Sequence, residues 1–276
     1  GSYSFVSEAG EQCSDYHVYA VDYAGNVSAS KTVKVKIDKT PAVVENFEIS
    51  QSENEVFNHF TFGMFSNKKI QITVTAADDN NDDKVEMSGV KSITLYLGDE
   101  EYITKEAKDN KAVFDIVLKK PNECLTADIS AVATDNVDNT ASEGVVLTHE
   151  NSNVEEGASW MLENIPPTKP VISPKTPVIT LESTSAEEDR VWCAEDVEFD
   201  VSAKDEHSGI REVVIKINDK EVSNAILVGE DGKDIHTLSK TYSVNTEDGI
   251  ANQDGSYTVS ATVTDNAGNV SDTAYT

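Results

Sequence analysis

One short segment occurs three times in this chain. It reads VYAVDYAGNVS from Val18 to Ser28, AVATDNVDNTAS from Ala131 to Ser142, and ATVTDNAGNVS from Ala261 to Ser271. The copies are anchored on Asp22, Asp135 and Asp265, at spacings of 113 and 130 residues. Such a period matches one β-sandwich of roughly 100 residues plus a connector, and exceeds the ~20 to 50 residues of solenoid repeats. Each copy reads as strand, tight turn, strand. Val259, Ala261 and Val263 alternate with Thr258, Ser260 and Thr262, the period of two that marks a half-buried strand. After it, an Asp accepts backbone N–H bonds and a Gly takes a positive φ. In the middle copy Asp138 stands where the others have Gly25 and Gly268, so a looser turn is expected there.

The same alternation recurs upstream of each turn. Val197, Phe199, Val201 and Ala203 precede the polar loop Asp205-Glu206-His207-Ser208-Gly209, and Val213, Ile215 and Ile217 follow it. In the middle of the chain Ile70, Ile72, Val74 and Ala76 lead through a longer acidic loop and Ser88-Gly89 into Ile93, Leu95 and Leu97. Paired alternating runs imply antiparallel strands with one solvated face. In the last module the pattern predicts seven strands, beginning with Val178–Leu181, the number an immunoglobulin-type sandwich uses. No segment shows sustained helical periodicity. The expected fold class is therefore all-β, as tandem immunoglobulin-like β-sandwich modules. The expected division is 1–38, the C-terminal part of a module whose first half is missing; 39–150, a module; 151–177, a proline-containing linker; and 178–276, a module.

Composition narrows the function. The 22 Lys and Arg face 50 Asp and Glu, a formal charge of −28. That surface repels nucleic acid and anionic lipid, and favours divalent cations as small partners. No apolar run reaches the roughly 20 residues needed to span a bilayer, so no membrane insertion is expected. Cys13, Cys124 and Cys193 have neither metal spacing nor an even count, and read as bystanders. The sequence reads as a piece of a longer exported chain whose signal or wall anchor lies outside it.

The D-x-A-G-N-V-S turn, the K-I-D-K-T-P junction at Lys36 to Pro41, and D-x-x-S-G ahead of a strand together resemble the bacterial immunoglobulin-like (Big-type) repeats of Gram-positive surface and extracellular proteins. The resemblance implies an exported stalk or adhesin-type module, extracellular and attached to or released from the cell wall, without catalysis. It does not say what the parent protein binds.

Calcium is the sharpest site hypothesis. In such a sandwich the B–C and F–G loops lie at the end where the chain enters. That gathers Asp38, Asp78, Asp79, Asp82, Asp83, Asp135 and Asp138 in the middle module, and Asp205, Glu206 and Asp265 in the last. Calcium takes six to eight oxygen ligands, and bound ions would stiffen the junctions between neighbouring modules. The competing reading is that turn aspartates cap backbone N–H groups while loop acids sit in water. Asp78 to Asp83 does not fit an EF-hand, lacking Gly at its sixth position and Glu at its twelfth.

Catalytic motifs are absent: there is no nucleophile elbow, phosphate loop or HExxH, and the five histidines share no spacing. A non-enzyme is expected, and no organic cofactor. The host or cell-surface ligand is open. The alternative function is a ligand- or carbohydrate-binding adhesin module, with Trp160 and Met161 as an exposed contact, or an accessory region of a secreted glycan-degrading enzyme. Covalent self-linking through a buried lysine such as Lys69 or Lys216 is a third possibility.

Overall fold

The computed structural model describes residues 10, 12–50, 57–60, 63–79, 86–175, 179–181, 190–192, 197–227, 234–244 and 257–276. Among these there is no α-helix, and the helical content is a 3-10 turn at His149–Asn151. None of the described elements is a helix long and apolar enough to cross a membrane. The fold is all-β. Two compact units divide the chain: Gly1–Ser50 with Gln71–Asp115 and Ala127–Asn153, and Gln51–Ile70 with Ile116–Thr126 and Val154–Thr276.

The first unit is centred on a seven-stranded sandwich. One sheet orders Val43–Ser50, Lys69–Ala77 and Lys111–Val117; the other orders Val145–Val146, Ile129–Asp135, Val90–Leu97 and Glu100–Glu106. Strict alternation along Lys69–Ala77 puts Ile72, Val74 and Ala76 inside. They meet Phe47, Ile49 and Phe114 from their own sheet and Ile93, Leu95, Ile129 and Ala131 from the facing one, all essentially fully buried. A period of two supplies one apolar face per strand, and two such faces close a core. Glu100–Glu106 turns back at Gly98, whose φ is 60°, and pairs with the strand just before it.

The second unit repeats this topology. Val171–Pro174, Val197–Lys204 and Thr237–Val244 form one sheet; Lys220–Ile226, Ile210–Ile217, Val259–Asp265 and Ala274–Tyr275 form the other. Phe199, Val201, Val213, Ile215, Leu238, Ala261 and Val263 fill the space between them. The sandwich's first strand is thus Val171–Pro174, not Val178–Leu181. The segment Ile179–Leu181 instead pairs with Arg190–Trp192 as a separate hairpin. Pro170 and Pro174 disguise the true strand in the sequence, yet proline is tolerated at the ends of an edge strand, and Ile172 packs on the core.

The stretch 151–177 therefore carries strands where a connector was expected. Ser159–Glu163 is another, in a four-stranded sheet ordered Cys124–Leu125, Ser159–Glu163, Gly63–Ser66 and Phe57–Phe60, where it runs parallel to Gly63–Ser66. Trp160 and Leu162 alternate inward, and Trp160 keeps only 7% of its surface. A buried indole offers no platform to a sugar ring, which removes Trp160 as a carbohydrate contact. Lys216 is exposed on its strand, so it lacks the burial that covalent self-linking requires. Cys193 and the side chain of Trp192 lie outside the described residues.

Near the N-terminus, Gln12–Val18 pairs with Lys31–Ile37 around the first copy of the repeated turn. Val18 occupies the position of Ala131 and Ala261, but it is 49% exposed where they are buried.

The core contacts make a direct test. Replacing the fully buried Phe47 by Ala should destabilise the first unit by about 3–5 kcal/mol, read as a lower midpoint in chemical denaturation. Tyr23→Ala, in the exposed hairpin, should leave that midpoint within error.

Candidate metal centres

The repeated turn is built the same way three times. In each, the Asp carboxylate accepts backbone N–H bonds across the turn and the Asn four residues on returns its side-chain amide. Asn26, Asn139 and Asn269 donate their backbone N–H to Asp22, Asp135 and Asp265 at 2.9, 2.8 and 2.8 Å. Their side-chain Nδ2 atoms donate to the second oxygen at 2.7, 2.7 and 2.8 Å. The residue between them is left-handed in every copy: Gly25 at φ 85°, Asp138 at 69° and Gly268 at 95°. The middle turn is therefore not looser. Asp is among the few residues that enter this region at modest cost, and Lys91 pairs with the exposed Asp138 carboxylate.

In the middle sandwich the turn meets two other stretches of chain. Oxygens of Asp38, Asp78 and Asp135 lie within 4.8 Å of one another. Asp38 comes from the entering chain and accepts N–H bonds from Thr40 and Ser88. Asp78 follows the strand Lys69–Ala77 and accepts from Gly89 N–H at 2.6 Å and Ser88 Oγ at 3.3 Å. Its Oδ1 is enclosed and has no hydrogen-bond donor among the described residues. Asn139 ties the group together by donating to the Asp38 backbone carbonyl at 3.2 Å.

The last sandwich builds the same arrangement, more deeply. Glu163, Asp205 and Asp265 also place oxygens within 4.8 Å of one another, and all three are buried. Glu163 accepts from Ile165 N–H and from Ser208 Oγ, each at 2.8 Å. Asp205 accepts from His207 and Gly209 N–H, and Asn269 donates to the Glu163 carbonyl at 3.1 Å. Position by position, Glu163 corresponds to Asp38, Asp205 to Asp78, and Asp265 to Asp135.

Five of the sequence-derived candidates thus converge: Asp38, Asp78 and Asp135 in one cluster, Asp205 and Asp265 in the other. Asp79, Asp138 and Glu206 are exposed and belong to neither cluster. Asp82 and Asp83 lie outside the described residues. Glu163 was missed because it sits in a stretch that reads as linker. A signal was present: Asp38 precedes Pro41 by three residues, and Glu163 precedes Pro166 by the same interval.

Electrostatics separates the exposed turn from the buried ones. The Asn26 side-chain hydrogen bond holds Asp22 below the usual carboxylate range. Burial, and then the neighbouring Asp38 and Asp135 charges, push Asp78 up. In the last cluster burial raises Glu163, with Asp205 adding to it. Asp265 is pushed up to about 8, first by burial and then by the Glu163 charge. Like charges at this range, out of water, require a proton or a cation among them. Among the described residues none of the six carboxylates forms an ion pair. An all-oxygen set of carboxylates and nearby carbonyls suits a hard divalent cation such as calcium and not a soft one.

No protein-family model and no curated protein matches the chain. Its fold is similar to three solved structures, each at 13% identity. The fibronectin(III)-like modules of Clostridium thermocellum CbhA cover 82% of this chain and 90% of theirs, with a TM-score of 0.32. The FN1–FN3 domains of chicken CNTN1 cover 95% and 76%, at 0.27. The dimeric latent PorU of Porphyromonas gingivalis covers 88% and 25%, at 0.24.

The raised acid has a signed consequence. Without metal, folded Asp265 holds a proton that the unfolded chain, titrating near 3.8, has already lost. Its contribution to stability is therefore complete below pH ~4 and is lost as pH rises through about 8. Thermal melts in chelator should show the last sandwich weakening across that window, and Asp265→Asn should flatten the slope.

Proposed function

We propose that this chain is a non-catalytic spacer from an exported bacterial surface protein, with calcium bound at the entrance of each complete sandwich. The observation that carries the reading is a repetition. Two sandwiches of identical strand order each gather an acid from the entering chain, one from the loop after the second strand, and one from the repeated turn. Relative motion of linked domains is the default, so a spacer gains from holding firm the chain that enters each module. An ion binding three stretches of chain at that end would stiffen the entrance.

The resemblance to Big-type repeats and the charge of −28 support an extracellular setting, where calcium is abundant. The acids that converge are not the ones lying loosest in the loops, which favours a ligand role for the clusters over mere solubility. The absence of a nucleophile–base arrangement in the sequence supports a structural role.

Calcium titration of the chelator-treated protein by calorimetry tests the proposal. Two binding events are expected, together with a rise in melting temperature. Saturation at one hundred times Kd would add about 2.7 kcal/mol to each site's folded state. Asp135→Asn should remove one event and leave the other intact. Absence of heat and of any melting shift, in calcium up to several millimolar, would refute the metal reading and leave the spacer without it.

A further inference from the structure

The entering carboxylates do something that needs no ion. We propose that Asp38 and Glu163 are joint-locking residues, each fastening the chain that leads into its sandwich to the Ser of the first loop and the Asn of the repeated turn.

Each lock is a closed set of hydrogen bonds. In the last sandwich Ser208 Oγ donates to Glu163 Oε1 at 2.8 Å, Ile165 N–H donates to Oε2 at 2.8 Å, and Asn269 Nδ2 donates to the Glu163 carbonyl at 3.1 Å. Ser208 is held in turn: its carbonyl accepts from Asn266 Nδ2 at 2.8 Å, and its Oγ accepts from Ala267 N–H at 3.2 Å. Glu163 is also the last residue of the strand Ser159–Glu163, so the lock joins the small four-stranded sheet to the sandwich loops within the same unit. The prolines at 166, 167 and 170 stiffen the exit from it.

The middle sandwich makes the same lock with different atoms. Asp38 is one methylene shorter than Glu163, and it takes its bond from Ser88 backbone N–H at 2.7 Å rather than from the hydroxyl. Asn139 Nδ2 donates to the Asp38 carbonyl and Asn136 Nδ2 to the Ser88 carbonyl, as Asn269 and Asn266 do in the other copy. The strand leading to Asp38 is braced by Lys36, whose Nζ pairs with Glu86 at 2.5 Å. One contact achieved through two chemistries argues that the position of the acid matters more than which donor reaches it. Removing one partner of such a bond leaves the other unsatisfied, at the cost of its desolvation.

The difference in donors gives the test, run in chelator so that it does not depend on the calcium reading. Ser208→Ala deletes the hydroxyl that holds Glu163, whereas Ser88→Ala removes only the 3.3 Å bond from its hydroxyl to Asp78 and leaves the backbone donor to Asp38 in place. Hydrogen–deuterium exchange should show Ile165 and the segment 159–165 exchanging at least tenfold faster in Ser208→Ala, with the core strand Val259–Asp265 unchanged. Ser88→Ala should leave the exchange of Thr40 and of 34–40 at the parent rate. Glu163→Gln, which puts an amide of the same shape in place of the carboxylate, should fall between the parent and Ser208→Ala. Equal exchange at 159–165 in the parent and Ser208→Ala, both folded, would overturn the lock. So would equal loosening by both serine variants. A calcium response without this asymmetry would leave the metal reading standing and remove the lock.

Discussion

The structure depends on what the Asp of the repeated turn is made to face. Alone, as at Asp22, the carboxylate closes its own turn through Asn26 and is an exposed acid held below the usual carboxylate range by that bond. Set at the mouth of a finished sandwich, as at Asp265, the same closed turn is pressed against two more carboxylates out of water. Geometry within the turn hardly changes between the copies. Its electrostatics reverses, because burial and neighbouring charge now outweigh the hydrogen bonds that favoured ionisation.

At the last sandwich that reversal singles out the entrance as the place of the proposed function. The cores are apolar and self-sufficient, built from alternating Val, Ile, Phe and Ala, and they ask nothing of a ligand. The entrances bring together three distant parts of the chain through charged groups, and repulsion among them must be neutralised for the fold to close. The amides of Asn139 and Asn269 act on these oxygens, and a proton or the proposed divalent cation would act on the same ones. The proposed cation and the proposed lock are compatible, since a carboxylate oxygen that accepts one N–H or O–H keeps a second lone pair.

Differences between the two entrances follow from one side chain. Glu163 reaches a serine hydroxyl and lies fully buried, and it ends a strand. Asp38 is shorter, takes a backbone N–H and stays partly exposed. Burial pushes Asp265 of the last entrance up to about 8, and it raises Asp78 in the middle one.

Much of this was legible in the residues alone. Alternation along segments such as Ile70 to Ala76 and Phe199 to Ala203 determined the strands and their buried faces, since a period of two leaves no other amphipathic solution. The recurring Asp–Asn turn determined the module period, and loop acids at 78, 135, 205 and 265 were found as site candidates. What only the tertiary structure decided was which acids meet. Asp79 and Asp138 carry the same side chain as the clustered aspartates but lie on the exposed surface, because facing is set by turn geometry and not by composition. Glu163 and Val171–Pro174 were hidden in a proline-rich stretch, where local sequence favours an extended connector. Their roles come from partners far along the chain: Ser208 and Asn269 for the one, Val197–Lys204 for the other. Local periodicity encodes how a strand buries its own face; convergence of charge at a sandwich mouth is a property of chain closure, and no single segment carries it.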